Sequence, residues 1–371
     1  MKVNTISLNS VRLNTIALNH IGEIRSGGGG SKPSPIPQWI REHVVFYYDV
    51  KKQGATNETL KESAYLQDLS GKGRRMKLNN FLFDMMSGVD GYNNEAFNKS
   101  AGRSFEWELI DSRTIKGKAS QVFTDFGYYH IKDVTNNVMH INWHIDGIQE
   151  GNKVYLTQYT YNNFKIELHN GDNHVALDVS ENTDRPNYFY VSVISDQPYS
   201  TDITITQIPE YPGALVTDGV DNCGLVENLS SGVKMLFMTV NPIGDFNINK
   251  MYYSQRYNPI YITPFYIFTG GTNIAYAGNR DGLTYINGVL NKSIKYNELF
   301  GVKHTITTVN DNVKPETSKA PSFFWEEGST KHYCSRLAFY NSIAFDSIPT
   351  EADGFTEQEL IDYVITNIIG Q

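Results

Sequence analysis

Between residues 105 and 209 six short runs follow one another: HINWHIDG, NKVYLTQYTY, FKIELHNGDN, HVALDVSEN, NYFYVSVISD and STDITITQI. Each is rich in β-branched and aromatic residues, several alternate apolar with polar positions, and Gly, Asn, Asp or Pro separates them. A period of two bounded by turn residues is the pattern of half-buried strands. The close spacing predicts a β-sandwich module of about 100 residues. Runs of the same kind flank it: VVFYYDV and KLNNFLFDMM before, and KMLFMTVNP, PIYITPFYIFTGG, NIAYAG, LTYINGVLN, KHTITTV and RLAFYNSIAF after. The expected fold class is therefore all-β.

One helix is expected, near the C-terminal end of the sequence. Thr356 and Glu359 have the spacing of a reciprocal cap, and Phe355 and Leu360 sit where a hydrophobic staple packs. Leu360, Ile361, Val364, Ile365 and Ile368 then form one apolar stripe, which should lie against the last sheet.

The opening of the chain follows another rule. Residues 3–21 read VNTISLNSVRLNTIALNHI, with asparagine at 4, 9, 14 and 19 and apolar residues at 3, 6, 8, 11, 13, 16, 18 and 21. Steps of two and three in turn match neither a strand nor a helix. Nineteen residues cannot enclose a core, and solenoid repeats need stacked neighbours before they bury an interior. The segment is read as an anchor that borrows burial from another subunit. Val3, Ile6, Leu8, Val11, Leu13, Ile16 and Leu18 would supply apolar contacts, while Asn9, Asn14 and Asn19 would meet backbone groups that an irregular chain leaves unpaired. An unstructured tail is the alternative. The next segment, Ser26-Gly27-Gly28-Gly29-Gly30-Ser31 followed by Lys32-Pro33-Ser34-Pro35-Ile36-Pro37, reads as a flexible tether that stiffens into an extended spacer.

Composition narrows the function classes. The chain of 371 residues carries 32 Lys+Arg against 40 Asp+Glu, a net charge of −8, with no basic stripe of the kind a nucleic-acid binder shows. Neither a membrane-spanning apolar run nor the apolar core of a secretory signal is evident, because asparagines interrupt the opening every few residues. The two cysteines, Cys223 and Cys334, form no Cys-x-x-Cys pair and no disulfide framework. No nucleic acid, membrane insertion or cofactor is expected.

Motif order adds a resemblance. LQDLSGKG at 67–74 after FYYDVKKQGATNETL, then TDGVDN at 217–222, YINGVLN at 285–291 and AFYNSIAFDSIPTEADGFTEQELIDYVI together resemble structural proteins of crAss-like and related phages of gut Bacteroidales. In that family an opening of the NTIALN kind and a glycine-rich linker precede a lectin-like body. The resemblance implies a concanavalin A-like, laminin-G-type jelly roll and a role as a head-fibre or tail-fibre subunit, located on the virion. It also implies a dimer or trimer docked on capsid or tail proteins, with host surface glycan as a partner of the body. The resulting organisation is an anchor at 1–25, a linker at 26–38, a jelly roll at 39–103 plus 211–371, and an inserted β-sandwich at 104–210. Two departures weaken any inherited ligand contact: Asp221-Asn222-Cys223 stands where Asp-Asp-Tyr is the pattern, and Gly71-Lys72-Gly73-Arg74-Arg75 where Gly-Asn-Gly-His-Asp is.

Chemical candidates are few. A glycosidase needs two convergent carboxylates, yet Glu326 and Glu327, adjacent beside Trp325, would point to opposite faces of a strand. His140, Asn142 and His144 share one side of a strand, but a third metal ligand at definable spacing is missing. Asp218 and Asp221 suggest a turn rather than calcium, which takes six to eight oxygens. Trp39, Trp107, Trp143 and Trp325 could stack on sugar rings, although most aromatics in a sandwich are core. No Gly-x-Ser-x-Gly elbow or phosphate-cradling loop occurs. The expected function is non-enzymatic. A polysaccharide-degrading tail enzyme or a bacterial surface adhesin is the alternative.

Overall fold

The computed structural model describes residues 34–55, 57–81, 88, 107–111, 113–117, 123–130, 138–158, 165–178, 188–194, 202–229, 232–243, 250–255, 265–270, 274–277, 283–291, 296–310, 321–324 and 335–370. In chain order the elements begin with α1 (Pro35–His43), β1 (Val44–Asp49), α2 (Asn57–Ser63), β2 (Tyr65–Leu66) and β3 (Met76–Asn79). Then come β4 (Trp107–Asp111), β5 (Thr114–Gly117), β6 (Phe123–His130), β7 (Val138–Asp146), β8 (Lys153–Gln158), β9 (Lys165–Leu168), β10 (Gly171–Asp178), β11 (Tyr188–Ile194) and β12 (Ile203–Gln207). The third series is β13 (Leu215–Val216), β14 (Cys223–Val226), β15 (Met235–Pro242), β16 (Lys250–Gln255), β17 (Phe265–Gly270), β18 (Ile274–Ala277), β19 (Leu283–Ile286) and β20 (Val289–Leu290). It ends with α3 (Tyr296–Leu299), β21 (His304–Val309), β22 (Ser322–Phe323), β23 (Leu337–Phe345) and α4 (Glu357–Tyr363). The strand pairings described are antiparallel, and the protein is all-β.

The described residues fall into two compact units. One draws on residues up to 55, on 62–81 and on 213 onward, the other on 56–61 and 82–212. The first unit contains two sheets. The front sheet runs β1-β23-β15-β21-β19-β20, with β13 also paired to β23, and the back sheet runs β18-β17-β16-β22-β14-β3-β2. Their facing sides interlock through aromatic rings. Phe323 of β22 is fully buried, with ring centroids 5.9 Å from Phe46 of β1, 5.7 Å from Phe339 of β23 and 5.1 Å from Tyr253 of β16.

The front sheet is covered on its other side as well, which explains why β1 and β15 are buried at every position and do not alternate. Met235, Phe237, Ile343 and Phe345 on this outer face pack with Trp39 and Ile40 of α1 and with Leu360, Ile361, Val364 and Ile368 beyond. Such a strand is apolar on both faces, the pattern of a middle layer. Trp39 lies 5.3 Å from Phe345 and edge-on to Phe355 at 5.9 Å, ring centre to ring centre.

Both helices in this outer layer have legible causes. The cap expected at Thr356 is present in both directions: Thr356 N donates to Glu359 Oε2 at 2.7 Å, and Glu359 N donates to Thr356 Oγ1 at 3.2 Å. The helix then widens into a π-turn over 364–369, where Gly370 N reaches back to Ile365 O at 2.9 Å. The proline segment is a correction. The expected extended spacer through 38 is helical from Pro35, because proline at the first helical position loses only an N–H that would have no partner there anyway. Burial of Trp39 and Ile40 then holds the turn in place.

The second unit also has two antiparallel sheets, β10-β7-β12-β5-β4 and β6-β11-β8-β9. Alternation is plain in β7, where Ile141, Trp143 and Ile145 are buried while Asn142 and His144 face outward. The anchor residues Val3, Ile6, Leu8, Asn9, Val11, Leu13, Asn14, Ile16, Leu18 and Asn19 lie outside the described residues, as do Trp325, Glu326, Glu327 and Cys334.

Candidate functional site

The outer face of the front sheet changes character along its strands. Under the helices its rows are mainly apolar, one of them running Tyr47, Ile343, Phe237, Thr307 across β1, β23, β15 and β21. Two residues further along each strand the paired row reads Asp49, Asn341, Thr239, Thr305 across β1, β23, β15 and β21. Residues two apart on a strand share a face, so this polar row continues the surface that the helices cover. The hydroxyls of Thr239 and Thr305 meet at 2.9 Å, which places both on one side.

A bulge extends the polar end. Between Thr239 and Val240 the register against β23 shifts by one residue, leaving Tyr340 unopposed. Such a bulge re-aims a side chain at a sheet face. Lys303, two residues before Thr305, holds its ammonium 4.1 Å from the centre of the Tyr340 ring. Asn241, two residues after Thr239, completes the cluster.

Several groups here already have partners. Asp49 accepts the Tyr47 hydroxyl at 3.0 Å and Lys52 N at 2.8 Å. Burial and the Asp49 charge push the Tyr47 hydroxyl far above the ordinary tyrosine range. Lys52 donates to the Ile368 carbonyl at 2.7 Å, tying this end of β1 to the π-turn. Partial burial lowers the Lys303 pKa, with Asp49 opposing the change and Lys51 adding to it. Two acceptors are left over. The side-chain oxygens of Asn241 and Asn341 are inaccessible to solvent and have no hydrogen-bond partner, in residues 8% and 5% exposed. A buried polar group in that condition typically costs about 1–3 kcal/mol.

Elsewhere the residues singled out in the sequence serve the fold. Asp218 Oδ1 accepts Val220 N at 2.8 Å and Asp221 N at 3.4 Å, closing a turn. Asn222 locks that turn, accepting Asp218 N at 2.7 Å and donating to the Asn80 carbonyl at 2.7 Å. Arg74 donates to the Val45 carbonyl at 2.9 Å, and Arg75 pairs with Glu227 at 3.0 Å. Cys223 is buried, and its Sγ accepts from Asn79 Nδ2 at 3.6 Å. Trp39 and Trp143 are core, not platforms. For Trp107 the structure describes the backbone strand, and for His140 likewise.

His144 has carboxylates on both ring nitrogens, Asp172 at 2.5 Å from Nδ1 and Asp146 at 3.2 Å from Nε2. The Asp172 hydrogen bond, followed by the two charges, raises the His144 pKa. Asn142 bonds His174 at 2.8 Å. Asn142 and His144 thus both face outward, with both His144 nitrogens engaged, and the described residues contain no group of three or more His, Cys, Asp or Glu suited to a metal ion. A shallow groove of about 470 Å³ lies between Ser34, Ile36, Phe355, Tyr363 and Asn367, and the cap engages its one glutamate, Glu359.

The polar end was overlooked in the sequence, although a signal was present. Asn341 interrupts the apolar run LAFYNSIAF, and Thr305 and Thr307 alternate through HTITTV. A hydroxyl- and amide-rich row beside an aromatic face and a lysine offers the chemistry of polyhydroxylated ligands. No protein-family model, curated protein or solved structure matches this chain.

Proposed function

We propose that the protein is a non-enzymatic subunit of a phage virion appendage, a head or tail fibre. In this reading residues 3–21 lodge in a capsid or tail protein and the glycine-rich segment after them is a tether. The first unit is a concanavalin A-like jelly roll, interrupted in sequence by a second β-sandwich, and the subunit assembles as a dimer or trimer. A short anchor gains from such multivalency.

The observation that supports the non-enzymatic part is how six of the described carboxylates are engaged. Asp49, Asp68, Asp218, Asp353 and Glu359 accept backbone N–H groups of their own loops or caps, and Glu227 holds Arg75. Carboxylates engaged in this way hold structure and are poor acid-base pairs. Two stacked antiparallel sheets with a rigid aromatic interior suit a projecting body. The virion part rests on the motif order and on the period-five opening, too short to bury its own apolar positions.

The test is deletion of residues 2–24 in the phage, with incorporation read from purified particles. Loss of the protein from particles is the expected result, and full incorporation overturns the anchor. Hydrolysis of host capsular polysaccharide, abolished by E326Q and E327Q, would replace this reading with the enzymatic one.

A further inference from the structure

The two edges of the front sheet are finished differently. Along β1 the loop after β2 covers the outer backbone: Tyr47 N donates to Asp68 at 3.0 Å, and Leu69 N donates to the Tyr47 carbonyl at 2.7 Å. At the opposite edge, β20 pairs with β19 alone among the described residues. Asn291 N donates to the Thr284 carbonyl at 2.8 Å, so these two form a hydrogen-bonded pair and Tyr285 with Leu290 is the non-bonded pair beside it. The N–H and C=O of Leu290 therefore point away from β19, toward the open side. Apolar side chains accompany them, Val289 at 70% exposure, Leu290 at 42% and Leu283 at 39%.

An open edge of this kind invites pairing, and proteins normally blunt it with charge, proline or a bulge. Residues 282–291 carry no charged side chain and no proline, and the register of β19 with β20 and with β21 is unbroken. The hairpin is also held in place. Asn287 and Gly288 take φ of 51° and 84°, the positive values of a two-residue turn that matches strand twist. Asn287 Oδ1 accepts Thr305 N at 2.8 Å, and Gln358 donates to the Gly288 carbonyl at 3.0 Å.

We propose that β20 is the interface through which two copies of this chain pair, antiparallel and about a twofold axis, carrying the front sheet from one subunit into the other. The inference rests on the oligomeric reading of the subunit and adds the surface and the number. Twofold pairing sets Leu290 against Leu290 of the partner subunit, so the outward N–H of each meets the outward C=O of the other and leucine meets leucine. Charge favours a second copy as the occupant. Each chain carries −8, and like charges brought together are costly, so copies can meet only where the surface is neutral, as it is along this edge. A charged partner would find no ion here to pair with. Because each subunit offers the edge once, the assembly closes at two.

Sedimentation velocity of the full chain over a micromolar concentration series reads the assembly. Expected is a reversible dimer. L290K and L290E should each weaken it about a hundredfold or more, and an equimolar mixture of the two should restore it, because lysine then faces glutamate. Leu290 is partly exposed, so both variants keep the monomer fold, which far-UV circular dichroism checks. Hydrogen exchange needs no variant: the Leu290 amide of the wild type should exchange slowly in concentrated protein and freely on dilution. Free exchange at both concentrations overturns the interface, and so does a mixture of variants that stays monomeric. An oligomer that L290K leaves intact overturns the interface but not the oligomeric reading, whereas a wild type that remains monomeric overturns both. A wild-type trimer overturns the twofold pairing, and particle incorporation tests the anchor separately.

Discussion

The carboxylate of buried Asp68 accepts the backbone N–H of Tyr47 at 3.0 Å, joining the loop 67–75 to β1. The same side chain accepts Ser70 N at 2.9 Å and Arg74 N at 3.0 Å, so one residue organises the whole turn. Replacing it with alanine strands three backbone donors, each worth about 1–3 kcal/mol when left buried and unmade. D68A should lose several kcal/mol in urea titration and show faster amide exchange at 70–74. D68N, which keeps one acceptor oxygen, should fall between D68A and the wild type.

The cap at Thr356 makes a smaller and cleaner prediction. T356A should cost about 1 kcal/mol, the usual value for a lost N-cap. Hydrogen bonds from Thr356 hold the Glu359 carboxyl below the ordinary glutamate range. A lowered folded-state pKa gives stability that is present above the unfolded value and is lost as pH falls through the folded one. Thermal melts of wild type and E359Q should therefore approach one another in acid and separate again near neutrality.

His144 has the opposite sign. Its pKa is raised by Asp172 and Asp146, so its contribution is complete below the unfolded value of about 6.5 and disappears as pH rises through the folded value. NMR titration should find the His144 imidazole titrating above the ordinary histidine range, and D172N should bring it back toward the ordinary value.

In the aromatic interior, F323A removes a ring that five others surround, Phe46, Tyr48, Tyr253, Phe324 and Phe339. The expected loss is about 3–5 kcal/mol, read as a lower urea midpoint with unchanged slope. F323L should retain more than half of the difference.

Much of this architecture was legible because local rules and tertiary demands agree. The alternation of Ile141, Trp143 and Ile145 reads directly as a half-buried strand, and Thr356 with Glu359 reads as a helix start. The strand KMLFMTVNP was legible too, but burial on two sides erased its period, so its eight buried residues did not announce a middle layer. Legibility failed at Pro35–His43, where prolines in a row suggested an extended spacer until Trp39 and Ile40 supplied a surface to bury. The polar end needed the pairing register: Asp49 and Asn341 are almost three hundred positions apart, and nothing local announces that they are neighbours.

That register has a consequence for how the protein comes into being. The pairing of Val44 with Phe345 means that the earliest described strand waits on the ribosome for the last described one. Until then its valines and tyrosines stand bare, and long-range closure of this kind is slow and exposed to aggregation. The segment 82–212, by contrast, is synthesised in one piece and is free to finish early. During synthesis the nascent chain therefore carries an orphaned β1, and chaperone demand should concentrate in the interval before residue 345 emerges.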